Sequence, residues 1–239
     1  MKLVADLHVH TVSSGHAYST LEEYVAQAKK IGLEAIAITD HGPAMPGGPH
    51  YYHFSNMGMI PQYMDGIRIF KGVEANIIDA EGKLDLFDED LDKLDIVMVA
   101  MHPRCGYESE GEQRNTEVLI KALQNKRIKI IAHPGNPKYP INIETIVSVA
   151  KEKGVILEIN NSSFVYSRPG SWDRCLAVAK EVKRQNWMVI LGTDTHISPM
   201  LGVFDKAIEL VKQAGLSEEQ IVNTSLEKIK KYIVEGRRC

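Results

Sequence analysis

Histidines and carboxylates are the residues of this 239-residue chain best suited to chemistry, because nine histidines stand against only three cysteines. Imidazole and carboxylate groups together suit Zn, Mn or Fe and disfavour Mg or Ca. The cysteines lie far apart, so they predict neither a disulfide framework nor a thiolate metal site. Seven histidines and three carboxylates fall in short polar groups: His8-Val9-His10, His16, Asp40-His41, Glu74, His102-Pro103, His133-Pro134 and Asp194-Thr195-His196. A metal site here is therefore predicted to use nitrogen and oxygen ligands.

Short apolar segments alternate with amphipathic helical segments along the chain, which predicts parallel β-α-β units. We expect strands at Lys2–His8, Ala35–Asp40, Ile67–Ile77, Ile96–Met101, Lys129–Ala132, Val155–Asn160 and Met188–Leu191. We expect helices at Ser19–Ile31, in the region ending near Lys126, and at Ile143–Lys153, Trp172–Gln185, Phe204–Ala214 and Ser225–Val234. Ser19 and Glu22 form a predicted capping box at the first helix. Both a (β/α)7 barrel and an open doubly wound sheet fit this order.

The polar groups follow the C-terminal ends of six predicted strands. In a parallel barrel these ends form one rim, where active sites are built, whereas an open sheet would spread them along a line too long for one pocket. A single histidine at such a position is more often a hydrogen-bonded structural residue, but seven at one rim have no common structural reason. The convergence favours a barrel with a metal site at its C-terminal rim.

Spacing adds a constraint on the first strand and on the number of ions. His8 and His10 are two residues apart and therefore share one face of a strand. Asp6 is expected on that face too, where it could accept the distal N–H of a histidine ring. Nine donors are too many for one ion that keeps a reactive position open, and they suit two or three ions that share a bridging carboxylate.

Composition limits the function classes. With 28 Lys and Arg against 31 Asp and Glu the net charge is −3, and 44% hydrophobic with 25% charged residues is typical of a globular protein. No apolar run approaches the roughly 20 residues that span a bilayer, and the first residues do not form a signal peptide, so a cytoplasmic location is expected. The near-neutral charge argues against a stable nucleic-acid partner. The oligomeric state stays open.

The motifs that carry the polar groups resemble those of a known family. The segments HVHTVSSGH, ITDH, GVE, AHPG and GTDTH, with the His102-Pro103 pair, are similar to the motifs of the PHP family, named for polymerase and histidinol phosphatase. The resemblance covers nearly the whole chain and is strongest to stand-alone YcdX-like phosphatases, which share stretches such as LEINNSS. It implies a distorted (β/α)7 barrel with parallel strands and a single PHP domain over residues 1–239.

The resemblance also implies a centre of three divalent metal ions, with zinc expected and manganese or iron as alternatives. Carried over position by position, the first ion takes His8, His10, Glu74 and Asp194, the second takes Glu74, His102 and His133, and the third takes His16, His41 and His196. Glu74 would thus bridge the first two ions. His50 and His53 lie outside the motifs.

The implied function is a metal-dependent phosphoesterase that hydrolyses small phosphate monoesters. A hydroxide bridging two of the ions would attack in line, and the ions would neutralise the developing charge. Glu74 and Asp194 are the predicted catalytic carboxylates, and Asp194 or a metal-bound water would protonate the leaving group. Three divalent ions outweigh these two carboxylates, so the pocket would attract a phosphate dianion although the whole chain is slightly acidic.

An arginine would help to clamp the phosphate through two parallel hydrogen bonds. Arg168, in the loop after the sixth predicted strand, is the first candidate, and Arg104, just after His102-Pro103, is the second. Either could instead be a solvated surface arginine. The long segment 42–66 could place Tyr51, Tyr52 and Phe54 over the site, or could be a surface flap held by a small apolar cluster.

Two alternative functions remain at this stage. Within the same family, the chain could be a histidinol-phosphate phosphatase or a nuclease that acts on nucleotide ends. Outside enzymes, it could be a metal-binding structural module, as some PHP domains fused to polymerases are. The complete ligand set counts against the structural module.

Overall fold

Seven parallel strands follow one another around a nearly closed barrel in the computed structural model, which describes residues 1–235. The strands are β1 Ala5–Val9, β2 Ala35–Ile38, β3 Tyr63–Met64, β4 Ile67–Asn76, β5 Ile96–Ala100, β6 Ile130–Ile131, β7 Ile156–Asn160 and β8 Val189–Gly192. The pairing order is β1-β2-β4-β5-β6-β7-β8, and the short strand β3 adds to β4 as an antiparallel hairpin. The predicted distorted (β/α)7 barrel with parallel strands is confirmed.

Helices alternate with these strands and cover the outside of the barrel. They are α1 Leu21–Ile31, α2 Tyr52–Ser55, α3 Asp88–Leu91, α4 Glu112–Ala122, α5 Ile143–Lys153, α6 Ser162–Val165, α7 Ser171–Arg184, α8 Asp205–Ala214 and α9 Leu226–Ile229, which continues as a π-helical turn over Lys230–Val234. The predicted bounds of α5 are correct. The predicted capping box is wrong by one residue, because Thr20 is the N-cap and exchanges hydrogen bonds with Glu23. None of the helices within the described part of the chain has the length and apolar character needed to cross a bilayer.

The first and last strands approach each other at their C-terminal ends. Val9 and Thr195 form a parallel bridge, and the backbone N–H of His10 donates to the carbonyl of Thr195 at 2.9 Å. The Tyr24 hydroxyl, buried at the base of α1, donates to the carbonyl of His10 at 2.8 Å. These contacts bring the ends of β1 and β8, which are far apart in sequence, onto the same rim.

The barrel interior changes from apolar to polar along its axis. An apolar cluster that includes Leu7, Met98, Ile156 and Ile190 fills the lower part of the barrel, and Ile229 from α9 packs into it. Beyond this cluster the inward-facing positions are polar. On β7, for example, Ile156 is followed two and four residues later by the buried Glu158 and Asn160, which lie on the same face. The apolar part supports the polar rim from below.

A β-bulge in β1 changes which residues face the rim. Asp6 pairs with Ile36 and Val9 pairs with Ile38, so β1 has one extra residue in this interval and its side-chain alternation is broken. The Asp6 carboxylate accepts hydrogen bonds from the N–H and hydroxyl of Thr193. The prediction that Asp6 orients a histidine ring is therefore wrong, because the bulge separates Asp6 from the His8 ring.

Candidate metal centre

All nine predicted ligand residues lie together at the C-terminal rim of the barrel. Ring centroids of neighbouring imidazoles are 4.9 Å apart for His8 and His10, 4.2 Å for His10 and His41, and 5.1 Å for His102 and His133. His16 and His196 lie at the outer side of this cluster, with ring centroids 4.9 Å apart. Strand ends supply the buried members, and the loops after β1 and β8 supply the two outer histidines.

Glu74 lies at the middle of the cluster. Its Oε1 is 2.7 Å from His133 Nε2 and 3.5 Å from His102 Nε2. Its Oε2 is 2.7 Å from His41 Nδ1 and 3.4 Å from His8 Nε2. One carboxylate thus faces imidazoles from different strands through each of its two oxygens, which is the arrangement that a bridging ligand requires.

Asp194 faces the cluster with one oxygen and the neighbouring loop with the other. Its Oδ1 is 3.2 Å from His10 Nε2 and 3.6 Å from His8 Nε2. Its Oδ2 accepts hydrogen bonds from Arg168 at 2.9 Å and from Asn160 at 3.1 Å. Asp194 has a φ of 53°, a left-handed conformation that is uncommon outside glycine and that directs its carboxylate toward the histidines.

Hydrogen bonds from the outer ring nitrogen fix the orientation of several imidazoles. His8 Nδ1 lies 2.7 Å from the Glu158 carboxylate, and His102 Nδ1 lies 2.8 Å from the side-chain oxygen of Asn76. A carboxylate and an amide oxygen can only accept, so both histidines donate from Nδ1. In its neutral form each of these rings carries the lone pair on Nε2, which points into the cluster, as metal ligation by imidazole requires.

The centre contains buried polar atoms without hydrogen bonds, and these test whether the residues fit metal ions. They are His8 Nε2, His10 Nε2, His41 Nδ1, Glu74 Oε2 and His102 Nε2. A buried polar atom that stays without a hydrogen-bond partner lowers the stability of the fold by about 1–3 kcal/mol. His41 Nδ1 and Glu74 Oε2 are only 2.7 Å apart without the geometry of a hydrogen bond. Converging donors without partners are what divalent ions would satisfy, so the residues fit the metals implied by the fold family.

Among the described residues, three overlapping groups of metal-ligating side chains have ligand atoms within 4.8 Å of one another. They are His8, His10 and Asp194; His41, Glu74 and His102; and His10, His41 and His196. The first group contains three of the four members of the predicted first set and lacks Glu74. The other two share members with the predicted sets, except that His41 stands beside Glu74 where His133 was expected and His10 stands beside His196 where His16 was expected.

The electrostatics of the centre favour positive charge. Five carboxylates are buried at or beneath the rim: Asp6, Asp40, Glu74, Glu158 and Asp194. Burial alone would lower the pKa of His8, but the charges of Glu158, Glu74 and Asp194 outweigh it and raise that pKa well above its usual value. Burial lowers the pKa of His10 to about 3. The pocket thus stabilises cations while keeping His10 neutral and able to act as a ligand.

A cleft of about 280 Å³ opens onto the outer side of the cluster. It is lined by five proposed metal ligands, His16, His41, His102, Asp194 and His196, together with Met45, Ser162, Tyr166, Ser167 and Arg168. Arg168 is mostly buried against Asp194, whereas the side chain of Arg104 is exposed and Arg104 has a φ of 66°. The described contacts of Arg104 are limited to its backbone N–H, which donates to Glu108.

The segment 42–66 contributes to the cleft through a different residue from those expected. Phe54 is fully buried in the hydrophobic core, and Tyr51 packs edge-on against Phe87. Met45 is the apolar residue of this segment that lines the cleft. The segment is therefore anchored in the main hydrophobic core through Phe54, and Met45 supplies the contact with the cleft that the aromatic residues were expected to make.

Several supporting residues were missed by the sequence reasoning. Asn76 is two residues after Glu74 on β4, so alternation along the strand could have placed both on one face. Ser14 accepts from the backbone N–H of His41 and lies 3.2 Å from His10 Nδ1. No spacing rule indicates this role for Ser14, because it depends on how the loop after β1 folds over β2.

A family model for the PHP domain matches residues 6–162. The chain belongs to the PHP family. Among its relatives, a probable phosphatase of Caldanaerobacter subterraneus subsp. tengcongensis is 49% identical over 238 residues, covering 100% of this chain and 94% of the relative. A probable phosphatase of Thermoanaerobacter pseudethanolicus is 48% identical over 238 residues, covering 100% of this chain and 97% of the relative. A probable phosphatase of Shewanella loihica is 42% identical over 233 residues, covering 98% and 94%.

Solved structures share the barrel. A histidinol phosphate phosphatase from Lactococcus lactis, crystallised with zinc, L-histidinol and phosphate, superposes with a TM-score of 0.64. The match covers 89% of this chain and 94% of that chain at 21% sequence identity. At this identity the likeness supports the fold.

Proposed function

We propose that this chain is a metal-dependent phosphatase that hydrolyses small phosphate monoesters at a centre of three divalent ions. The observation that carries the proposal is a set of buried polar atoms without hydrogen bonds, in which four imidazole nitrogens surround Glu74 Oε2, next to a cleft that contains Arg168. Relatives matched over nearly their whole length are named probable phosphatases, which supports the same reaction class.

In this proposal the three ions take the ligand sets implied by the family resemblance. His8, His10, Glu74 and Asp194 would hold the first, Glu74, His102 and His133 the second, and His16, His41 and His196 the third. When bound, the ions would supply Lewis acidity and an activated water. Zinc suits this imidazole and carboxylate donor set and accompanies the Lactococcus lactis enzyme of the same fold, and manganese or iron would suit it too.

The protein's own groups would bind and orient the substrate. Arg168 reaches the cleft and would hold phosphoryl oxygens, while Ser162 and Ser167 line the same cleft. Asp194 accepts hydrogen bonds from Arg168 and Asn160, which supports a role in binding and orientation more than a role as proton donor to the leaving group. We also propose that the chain works as a single PHP domain beyond the matched residues 6–162, because β8 and the loop after it carry Asp194 and His196.

The test of this function is elemental analysis of purified protein together with a panel of phosphate esters. We expect three divalent ions per chain and turnover of several small monoesters, both lost on exhaustive chelation and restored by adding metal. Turnover confined to histidinol phosphate would favour the specific histidinol-phosphate phosphatase, and turnover confined to nucleotide ends would favour the nuclease. Bound metal without hydrolysis of any ester would favour the structural module, and one ion or none would contradict the trinuclear centre.

Substitution of Arg168 should weaken catalysis more than substitution of Arg104. Arg168→Ala is expected to lower kcat/KM by about 10- to 100-fold, as loss of a charged hydrogen bond worth ~1.5–3 kcal/mol would. Arg168→Lys should recover part of this loss, because lysine keeps the charge but lacks the planar fork. Steady-state kinetics and the metal content of each variant are the measurements, since Arg168 also contacts Asp194.

Arg104→Ala is the matched comparison, because Arg104 remains the second candidate and its side chain is exposed. We expect its kinetics to stay near those of the wild type. A loss in Arg104→Ala as large as that in Arg168→Ala would assign the clamp to the loop after β5 instead.

A further inference from the structure

His53 lies on the segment 42–66, outside every predicted ligand motif, yet it contacts a carboxylate beside the metal centre. Its Nε2 is 3.1 Å from Asp40 Oδ2. Asp40 is fully buried, and it also accepts from the N–H and the hydroxyl of Thr11 at 2.7 and 2.8 Å. A carboxylate only accepts hydrogen bonds, so His53 donates from Nε2.

Asp40 is connected to two proposed ligands through one serine. The Ser14 hydroxyl donates to Asp40 Oδ1 at 2.7 Å, so its oxygen is free to accept. It accepts from the backbone N–H of His41 at 3.1 Å and faces His10 Nδ1 at 3.2 Å. His10 must then donate from Nδ1, which leaves its Nε2 lone pair directed into the cluster. The chain of contacts runs from His53 through Asp40 and Ser14 to His10 and His41.

The same segment is held at a second point by an independent chain of contacts. The backbone N–H of Ala44 donates to the Asp85 carboxylate at 3.0 Å, and Asp85 in turn accepts from the side-chain amide of Asn76. Asn76 is the partner of His102 Nδ1. Asp85 and Asn76 hold the start of the segment without any contribution from His53.

The backbone of the segment also lies directly on the loop that carries Ser14. A Cβ added at Gly15, whose φ is 78°, would overlap the Gly47 carbonyl. The segment is thus seated against the loop after β1 at Gly47, and His53 is its side-chain contact with Asp40. Because the two chains of contacts reach different ligands, loss of His53 should affect His10 and His41 but not His102.

We propose that His53 is a positioning residue of the metal centre. The effect of His53 on catalysis rests on the proposed function. By donating to Asp40, His53 offsets the buried negative charge and holds the carboxylate in the orientation that fixes Ser14. Ser14 then holds the His10 ring and the His41 backbone. Without His53, Asp40 Oδ2 keeps the Thr11 hydroxyl as its described donor and the carboxylate is held less firmly. The first and third proposed ions then lose part of the fixed orientation of one ligand each.

The experiment compares His53→Phe, which keeps an aromatic ring beside Phe54 but removes the donor, with His53→Gln, which keeps a side-chain N–H donor. His50→Phe is the matched control, because His50 is an exposed histidine of the same segment and packs against Tyr51. Metal ions retained per chain are measured against increasing chelator. We expect His53→Phe to bind the first and third proposed ions about 10- to 100-fold less tightly than the wild type does. His53→Gln should recover most of this affinity, and His50→Phe should match the wild type.

Readouts besides metal affinity separate positioning from general stability. Thermal unfolding of the metal-free proteins should be similar for His53→Phe and His50→Phe, and kcat should fall in His53→Phe with little change in KM. Metal affinity and kcat in His53→Phe equal to those of His50→Phe would overturn the proposal, as would a loss that His53→Gln does not recover. If His53→Phe does not fold, His53→Ala takes its place with the same expectations. A wild type that binds metal but hydrolyses no ester would contradict the proposed function alone, since metal retention would still test His53.

Discussion

Glu74→Gln is expected to abolish phosphatase activity and to loosen two of the three ions while the barrel stays folded. The substitution keeps the shape of the side chain but removes its charge and replaces one oxygen by an N–H₂ group. Glu74 faces His133 and His102 with one oxygen and His41 and His8 with the other, so whichever position the amide nitrogen takes, a ligand is lost. Loss of several kcal/mol of metal-derived stabilisation lowers kcat/KM by about 1,000-fold or more.

The measurements are metal content, kcat/KM on the best ester found in the panel, and chemical unfolding of the metal-free protein. Stability without metal should be retained, because the variant removes a buried charge among unpaired donors. Glu81→Gln is the control, since Glu81 is exposed and pairs with Lys121 on the outside of the barrel. Survival of turnover in Glu74→Gln would show that the reaction does not depend on a bridging carboxylate.

The strand-end positions of the ligands could be predicted from sequence because they depend on local patterns. Each apolar segment ends where a polar pair such as Asp40-His41 or His102-Pro103 begins, and parallel strands bring such ends to one rim. The bounds of α5 follow for the same reason, because Asn142 caps its start and Gly154 ends it in a left-handed conformation. Local signals of this kind do not require knowledge of the tertiary structure.

The support of the ligands could not be predicted in the same way, because it depends on register between distant strands. The bulge in β1 inserts one residue against β2 and moves Asp6 away from the face of His8. The ring of His8 is held instead by Glu158, 150 residues away in sequence. The spacing of Glu158 and Asn160 places them on one face of β7, but alternation alone cannot assign the partner of Glu158 across the barrel.

The buried carboxylates link the metal centre to the stability of the fold. Asp40 and Glu158 are not proposed ligands, yet both are buried beside them. Glu158 accepts from the His8 ring and from the backbone N–H of His133, whereas Asp40 accepts from Ser14, which in turn contacts His10 and His41. Arg168 is the cation among the described residues that pairs with Asp194 at this rim. Excess buried negative charge is costly without compensation, so bound divalent ions should raise the free energy of unfolding as well as permit catalysis.

Gly192→Ala is expected to damage both the fold and the metal centre, although residue 192 is not a proposed ligand. A Cβ at this position would overlap Glu158 Oε1 and approach the Cβ of His8 at 3.1 Å. Glu158 cannot move aside freely, because it accepts from the His8 ring, from the backbone N–H of His133 at 2.8 Å and from Asn160 at 3.1 Å. The backbone cannot retreat either, since β8 is paired with β7 at Asn160.

Gly192→Ala is expected to lower the free energy of unfolding by about 3 kcal/mol or more. Overpacking costs roughly 1–3 kcal/mol, and displacement of a buried, hydrogen-bonded carboxylate adds to it. Chemical unfolding of the metal-free protein and the number of ions retained per chain are the measurements. Gly58→Ala is the control, since a Cβ there meets no atom within 4 Å. Adding Glu158→Asp to Gly192→Ala shortens the carboxylate and should recover part of the stability, so the two changes should be non-additive. If Gly192→Ala had the same free energy of unfolding and retained as many ions as Gly58→Ala, the packing of β8 against Glu158 would not be what holds His8 in place.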